Sequence, residues 1–387
     1  SMNNGFSPSS RLGYFNALVL LISFVSSSCV AFQFPPLIAS FSADSPEKKA
    51  SPKRVAVAGA TGRTGKLVVQ KILERNKSNS NSNVHVVALV RDLAKAKETL
   101  PSDDSNISVV QCDLSSPRDI QKAVSDCDAA IWCATGFSSA PQSSIFDKIM
   151  QALRLTLAPK ESIDLIAIPT LAEIFLKKGT TSSEDDALPK VIMLSSAGVT
   201  RPKWSKEKKK TFEGCADIPI VRLNPFGILD IKAESEEKLR QSGVNYCIFR
   251  PCGLNNDWPS GSRPIFSQGD VAVGRIHRDD AASILVEALY CTEAVGKTFE
   301  AFTIKGYPPA RSIRSALQRL RLDSDVVDES CLRETYSLVQ QLLPGEVQEP
   351  SMLAAGQTYE ELDSNKVGKF GKRGEENAEA IFPRPSA

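Results

Sequence analysis

The chain has 387 residues, 42% of them hydrophobic and 24% charged, with a formal net charge of +2. That balance fits a globular protein of one large domain or two and excludes a large electrostatic pull on nucleic acid. Nine scattered cysteines without a C-x-x-C pair, and only two histidines, His85 and His277, argue against a metal site and against a disulfide framework, so a reducing compartment fits.

Residues 1–53 read as a targeting presequence. Arg11 supplies a positive start, and residues 17–25 (A-L-V-L-L-I-S-F-V) form an apolar run too short to span a bilayer. Cys29-Val30-Ala31 fits a small-x-small cleavage site ahead of Phe32, and residues 32–53 are rich in Ser, Pro and Lys. Together they resemble the two-part plastid presequence of algae with secondary plastids, so a plastid location is expected. Plain secretion is the alternative. No later apolar run is long enough for a transmembrane helix.

Residues 54–67, R-V-A-V-A-G-A-T-G-R-T-G-K-L, come next. Residues 55–59 form a short apolar strand, glycines stand at 59, 62 and 65, and a helix opens at Lys66. A strand passing through a glycine turn into a helix makes a phosphate site, because the backbone can approach a pyrophosphate and the helix N-terminus offers unbonded N–H groups. The spacing G-x-x-G-x-x-G is one residue off the dinucleotide fingerprint, and a turn that only closes a strand–helix joint is the alternative.

Strands and helices then alternate. Strands are expected at 84–90, 107–111, 128–133, 191–194, 246–250 and 297–304. Helices are expected at 92–100, from Pro117 with Ser116 as N-cap, and at 163–178, 230–241, 278–290 and 312–322. Residues 137–162 break the rhythm as a Ser-rich insertion with a short helix at 145–157. The Lys/Glu run 203–210 reads as a solvated surface segment. Residues 323–387 read as a tail, partly helical or disordered, with one amphipathic stretch at 336–343. The alternation over 54–322 predicts an α/β Rossmann-type domain: a doubly wound parallel sheet with helices on both faces.

The motifs G-A-T-G-R-T-G (59–65), A-L-V-R-D (88–92), C-D-L (112–114), L-S-S-A-G-V (194–199) and S-G-V-N-Y-C-I-F-R-P-C-G-L (242–254) resemble the atypical short-chain dehydrogenase/reductases. The branch is the NAD(P)-binding, NmrA-like group that includes plastid members, and the resemblance spans roughly residues 54–308. It implies that the turn residues Gly59, Thr61, Gly62, Arg63, Thr64 and Gly65 hold a cofactor. NAD-binding members of this fold place an acid after the second strand to take the ribose 2′-OH. Here that residue is Arg91, whose guanidinium would pair with a 2′-phosphate, as would Arg63. Paired arginines at these places imply NADP(H). A surface Arg91 paired with Asp92 is the alternative.

By the same resemblance Asp113 and the N–H of Leu114 hold the adenine edge, unless Asp113 is a loop carboxylate. Ala134, Thr135 and Gly136 line the path to the nicotinamide, or form an ordinary strand-end turn. Pro251 closes over the nicotinamide end. Reductases of this fold use Ser, Tyr and Lys. Ser196 and Lys232 fit the first and last, with a strand-end hydroxyl pair and a solvated helix lysine as the alternatives. The Tyr position, four residues before Lys232, holds Ile228. His277 is expected in a loop, either structural or lining the substrate side.

Two functions are therefore open. One is an NADP(H)-dependent oxidoreductase acting on a small plastid molecule. The other is a non-catalytic NADP(H)-binding protein that senses redox state or supports assembly with a plastid protein partner. No nucleic-acid partner is expected.

Overall fold

The computed structural model describes residues 52–79, 83–101, 104–136, 162–178, 187–224, 227–304 and 310–341. The presequence, nearly all of the expected insertion with its short helix, and residues 342–387 lie outside them.

Strand β1 (Arg54–Ala58) leads through the glycine turn into helix α1 (Gly65–Ser78). There follow β2 (His85–Val90), α2 (Leu93–Thr99), β3 (Ile107–Gln111), α3 (Pro117–Val124), β4 (Ala129–Trp132), α4 (Ile163–Lys178) and β5 (Val191–Leu194). Short helices α5 (Lys206–Thr211), α6 (Glu213–Ala216) and α7 (Pro219–Leu223) precede α8 (Ile228–Gln241) and β6 (Tyr246–Pro251). The described chain continues with β7 (Gly253–Leu254), β8 (Arg263–Ser267), β9 (Arg275–Ile276), α9 (Arg278–Ala288), β10 (Lys297–Ile304), α10 (Arg314–Gln318) and α11 (Glu329–Gln341).

The main sheet has the order β3-β2-β1-β4-β5-β6-β10-β8. Every pairing from β3 to β10 is parallel, and β8 closes the edge antiparallel to β10. The order reverses between β1 and β4, the crevice where ligands bind in open α/β sheets. This is the doubly wound Rossmann sheet expected from the alternation.

Strand residues alternate between two cores because successive side chains point to opposite faces. Val55, Val57, Val86, Ala88, Ile131, Ile192 and Phe249 pack under α1 and α9. Ala56, Ala58, Val87, Leu89, Trp132, Met193 and Ile248 pack under α3 and α4. Helix α1 buries Val68, Val69, Ile72 and Leu73, an i, i+1, i+4, i+5 stripe against the first core. Each such side chain contributes about 1.5–3 kcal/mol of transfer free energy. The Ser116 hydroxyl accepts from the Asp119 amide at 3.3 Å, and Pro117 opens the helix as the sequence indicates. The described cysteines are all free, and Cys112, Cys127, Cys247 and Cys291 are buried in these cores. No helix among the described residues is long and apolar enough to cross a membrane.

Several elements depart from the sequence reading. Strand β8 and helices α5 to α7 have no strong period in the sequence. The helix expected over 312–322 is confined to Arg314–Gln318. The Lys/Glu run is solvated along α5, but its flanks are not: Trp204 and Phe212 are buried with Val271 and pack on Leu332 and Tyr336 of α11. The Gly214 amide donates to the Tyr336 hydroxyl at 3.0 Å.

Asp323, taken as the first residue of the tail, is tied into the sheet. Its carboxylate accepts from the Thr298 amide at 2.8 Å and hydroxyl at 2.6 Å, from the Tyr246 hydroxyl at 2.9 Å and from Arg240 Nε at 3.2 Å. Packing therefore continues past residue 323 to α11. Removing the carboxylate strands donors that are largely withdrawn from water. Asp323→Ala is expected to lower the unfolding free energy by about 2–4 kcal/mol in urea titration, whereas a loss below about 0.5 kcal/mol would mean the anchor carries no stability.

Candidate active site

The site begins where β1 ends. Gly59 has φ +74, a conformation that disfavours any side chain. Its amide neighbour across the crevice is β4: the Cys133 amide donates to the Ala58 carbonyl at 3.0 Å. A Cβ on Gly59 would stand 2.9 Å from the Ala134 backbone, and one on Gly65 only 2.1 Å from the Gly59 carbonyl oxygen. The turn is closed by the Gly62 amide donating to the Gly59 carbonyl at 2.8 Å. Thr64 caps α1 without a side-chain hydrogen bond. The amides of Arg63, Thr64 and Gly65 have no acceptor among the described residues. A cradle that only glycine backbones fill, with N–H groups at the start of a 14-residue helix, fits the pyrophosphate of a dinucleotide.

The remaining expected residues fall along the same carboxyl edge of the sheet. Arg91 follows β2 and is exposed, as is Arg63 in the turn. Asp92, the acid beside Arg91, turns its carboxylate back to cap α2, accepting from the Ala94 amide at 2.9 Å and the Lys95 amide at 3.2 Å. Asp113 and Leu114 follow β3. The Asp113 carboxylate accepts from the Ser115 hydroxyl at 2.7 Å and amide at 2.9 Å. Those bonds, with help from the nearby Arg91 charge, hold its carboxyl below the usual carboxylate range.

Ala134, Thr135 and Gly136 follow β4. Ala134 is buried against the glycine turn, Thr135 is exposed, and among the described residues a Cβ on Gly136 (φ +150) would meet nothing within 4 Å. The Gly136 carbonyl accepts from the Ile163 amide at 3.2 Å and anchors the start of α4. Pro251 ends β6, and its carbonyl accepts from the Ala197 amide at 3.1 Å, which joins it to the loop leaving β5.

Ser196 follows β5 and is half-buried, with its hydroxyl donating to the Ala197 carbonyl at 3.0 Å. Lys232 is not a solvated helix lysine: it is 7% exposed. Its ammonium reaches from α8 to the Leu194 carbonyl at 3.4 Å, at the exit of β5, and lies 3.7 Å from Asp164 Oδ1. Asp164, in the first turn of α4, is fully buried and also accepts from Trp132 Nε1 at 3.0 Å. Lys232, Asp164 and Trp132 form a buried unit behind the ends of β4 and β5.

Sequence reasoning missed Asp164. The available signal was an acid in the first turn of an otherwise apolar helix, I-D-L-I-A-I, where burial of a charge requires a partner. The position of the family's tyrosine holds Ile228. Ile228 opens α8 one turn ahead of Lys232, so the two share a helix face. Tyr246 and Tyr336, two of the described tyrosines, are hydrogen-bonded far along the chain, to Asp323 and Gly214. His277 is structural: its Nδ1 accepts from the Asp279 amide at 3.0 Å and caps α9.

Comparison with known proteins agrees with this geometry. Residues 59–292, more than half of the chain, match the model of an NAD(P)H-binding family. An uncharacterised chloroplastic protein of Arabidopsis thaliana is 30% identical over 270 residues, covering 69% of this chain and 82% of that protein. Sanguinarine reductase of Eschscholzia californica is 26% identical over 253 residues, covering 64% of this chain and 87% of the reductase. Among solved structures, a short-chain dehydrogenase/reductase of Veillonella parvula in complex with NADP is 16% identical with a TM-score of 0.43, covering 67% of this chain and 99% of that one. The chain belongs to the NAD(P)H-binding family of atypical short-chain dehydrogenase/reductases.

Proposed function

We propose that this protein is an NADP(H)-dependent oxidoreductase that acts on a small molecule in the plastid. The observation that carries the cofactor choice is at the end of β2. The residue directly after β2 is the exposed Arg91, near Asp113, and Arg63 is exposed within the glycine turn. A carboxylate positioned for a ribose 2′-OH is replaced by two guanidinium groups suited to a 2′-phosphate. Asp113 and the Leu114 amide take the adenine edge, and Ala134 to Gly136 line the way to Pro251. The plastid assignment rests on the presequence and on the chloroplastic Arabidopsis relative.

When bound, the nicotinamide supplies or accepts a hydride. The chain's own part is positional. Lys232 is held at the exit of β5 by Leu194 and Asp164, where its ammonium can meet the ribose hydroxyls. Ser196 orients a substrate oxygen once its hydroxyl leaves the Ala197 carbonyl. The second reading, a cofactor-binding protein without turnover, is favoured by Ile228, which cannot transfer a proton from the place where the fold's tyrosine stands.

Two outcomes test this reading. Arg91→Asp is expected to weaken NADPH binding about 10- to 100-fold, the worth of one charge-assisted contact, with NADH affinity changed less than about threefold in fluorescence titration. Equal losses for both nucleotides would reject the 2′-phosphate assignment. Steady-state oxidation of NADPH by quinones and carbonyl compounds decides between the two functions. Turnover supports the oxidoreductase, and tight binding without turnover on any acceptor supports the binding protein.

The Lys232–Asp164 pair makes a separate prediction about stability. Asp164→Asn or Lys232→Met alone leaves one buried charge without its partner and is expected to cost about 3–5 kcal/mol in urea unfolding. The double variant is expected to cost less than the sum of the two singles. Strict additivity would show that the pair is not energetically coupled.

A further inference from the structure

Behind the loop that leaves β5 lies a second cluster of buried charges that the cofactor reading does not use. Arg201, Asp270, Arg250, Glu236 and Glu300 are all 5% exposed or less. The pairing within it is uneven. Arg250 from β6 forks onto Glu236 of α8, with Nε to Oε1 at 2.9 Å and Nη2 to Oε2 at 2.5 Å. Glu236 also takes Arg240 Nη2 at 2.8 Å. Arg201 lies 3.4 Å from Asp270 Oδ1 and donates to the carbonyls of Asp270, Cys215 and Ala272 at 2.7–2.8 Å.

Glu300, on β10, gets the remainder. Its Oε1 accepts from the Asp270 amide at 3.0 Å and is 3.9 Å from Arg250 Nη1, whose guanidinium is already committed to Glu236. Its Oε2 has no hydrogen-bond partner among the described residues. Three buried carboxyl groups thus share two buried arginines and the partly exposed Arg240, and among the described residues Glu300 has the longest ion-pair contact of the three, 3.9 Å to Arg250.

Asp270 connects this cluster to the candidate site. It adopts φ +63, uncommon for a residue with a side chain. Its carboxylate accepts from the Gly198 amide at 2.6 Å, the Thr200 amide at 2.8 Å and the Thr200 hydroxyl at 2.7 Å. Those donors lie two to four residues past Ser196. Asp270 therefore fixes the loop that carries the serine, and Glu300 fixes the backbone of Asp270. The preceding Gly269 is pressed by Leu332 of α11, where a Cβ would stand 2.1 Å from Leu332 Cδ2, so the strained turn is clamped from outside as well.

We propose that Asp270 is a positioning residue for the Ser196 loop and that Glu300 gates it by proton: neutral Glu300 holds the Asp270 turn, and ionised Glu300 repels Asp270 and loosens the loop. The proposal rests on the reading of Ser196 as a substrate-orienting residue. The groups facing Glu300 are Asp270, Arg201, Arg250, Cys252 and, more distantly, Cys215. Burial, reinforced by the Asp270 charge and opposed by Arg250, pushes the Glu300 carboxyl up to about 7. The direction of the linkage follows. The folded chain holds a proton that the unfolded chain releases near 4.5, so stability from this group is full below that value and is lost as pH rises to about 7.

The test needs no substrate. Thermal midpoints of the full chain and of Glu300→Gln are compared from pH 5 to 8, and hydrogen exchange is followed in peptides covering residues 195–204, corrected for the intrinsic pH dependence. The expected result is that Glu300→Gln gains on the parent as pH rises. Loop exchange should accelerate at least tenfold between pH 6 and 8 in the parent and stay flat in the variant. Asp270→Asn should exchange fast at every pH while its NADPH affinity stays within about twofold, since the glycine turn is untouched. A parallel pH dependence in parent and Glu300→Gln, or loop exchange unchanged in Asp270→Asn, overturns the proposal. A loop that responds as expected in a protein without turnover would leave the positioning intact and reject only the oxidoreductase reading.

Discussion

The contact between Gly65 and the Gly59 carbonyl sets the rest of the site. With no Cβ on either residue, α1 starts directly against the end of β1, and a methyl group at 65 would overlap the carbonyl at 2.1 Å. That closeness brings the first amides of α1 to the mouth of the crevice between β1 and β4. It also lets the buried face of α1, Val68 to Leu73, seat on the sheet and on α9, with Lys71 reaching Asp279 at 2.8 Å. The candidate residues that follow strands are then placed by strand order, because the carboxyl ends of β1 to β6 lie along one edge, while Lys232 reaches that edge from α8.

Charge is distributed unevenly over the two faces of the sheet. Under α1 and α9 the core is apolar. Under α4 and α8 it is apolar through β1, β4 and the body of β5 and β6, and ionic groups sit at its margin, Lys232–Asp164 by the end of β5 and Arg250–Glu236–Glu300 at the end of β6 and on β10. Buried ion pairs add little net stability compared with apolar packing, but they fix geometry, since breaking one leaves an uncompensated charge. Both groups lie beside the loop after β5. The apolar half of the molecule thus builds the nucleotide crevice, and the ionic half holds the loop and lysine at its far end.

How much of this was legible in the sequence depended on the range of the interaction. The glycine turn, the alternation of strands and helices, the Ser116 cap and helix Ile163–Lys178 are local signals, and they appear where the pattern put them. Arg91, Asp113 and Ser196 fell on one edge because strand ends define it, and Lys232 reaches the same edge from α8. What the sequence hid was long-range. Asp164 and Lys232 are 68 positions apart, and neither helix pattern records that their charged ends meet. Asp323 looked like the start of a polar tail because its partners, Tyr246, Thr298 and Arg240, lie far upstream. Helices α5 to α7 are too short for a period, and β8 pairs as an antiparallel edge with Pro264 inside it, which masks a strand.

We propose a crevice that recognises a ribose carrying a 2′-phosphate. The most direct measurement is calorimetric titration of the full chain with 2′,5′-ADP and with 5′-AMP, which share the adenosine and the 5′-phosphate and differ only in that group. 2′,5′-ADP is expected to bind at least about tenfold more tightly, with the difference shrinking as salt is added. Equal affinity for the two ligands would contradict it.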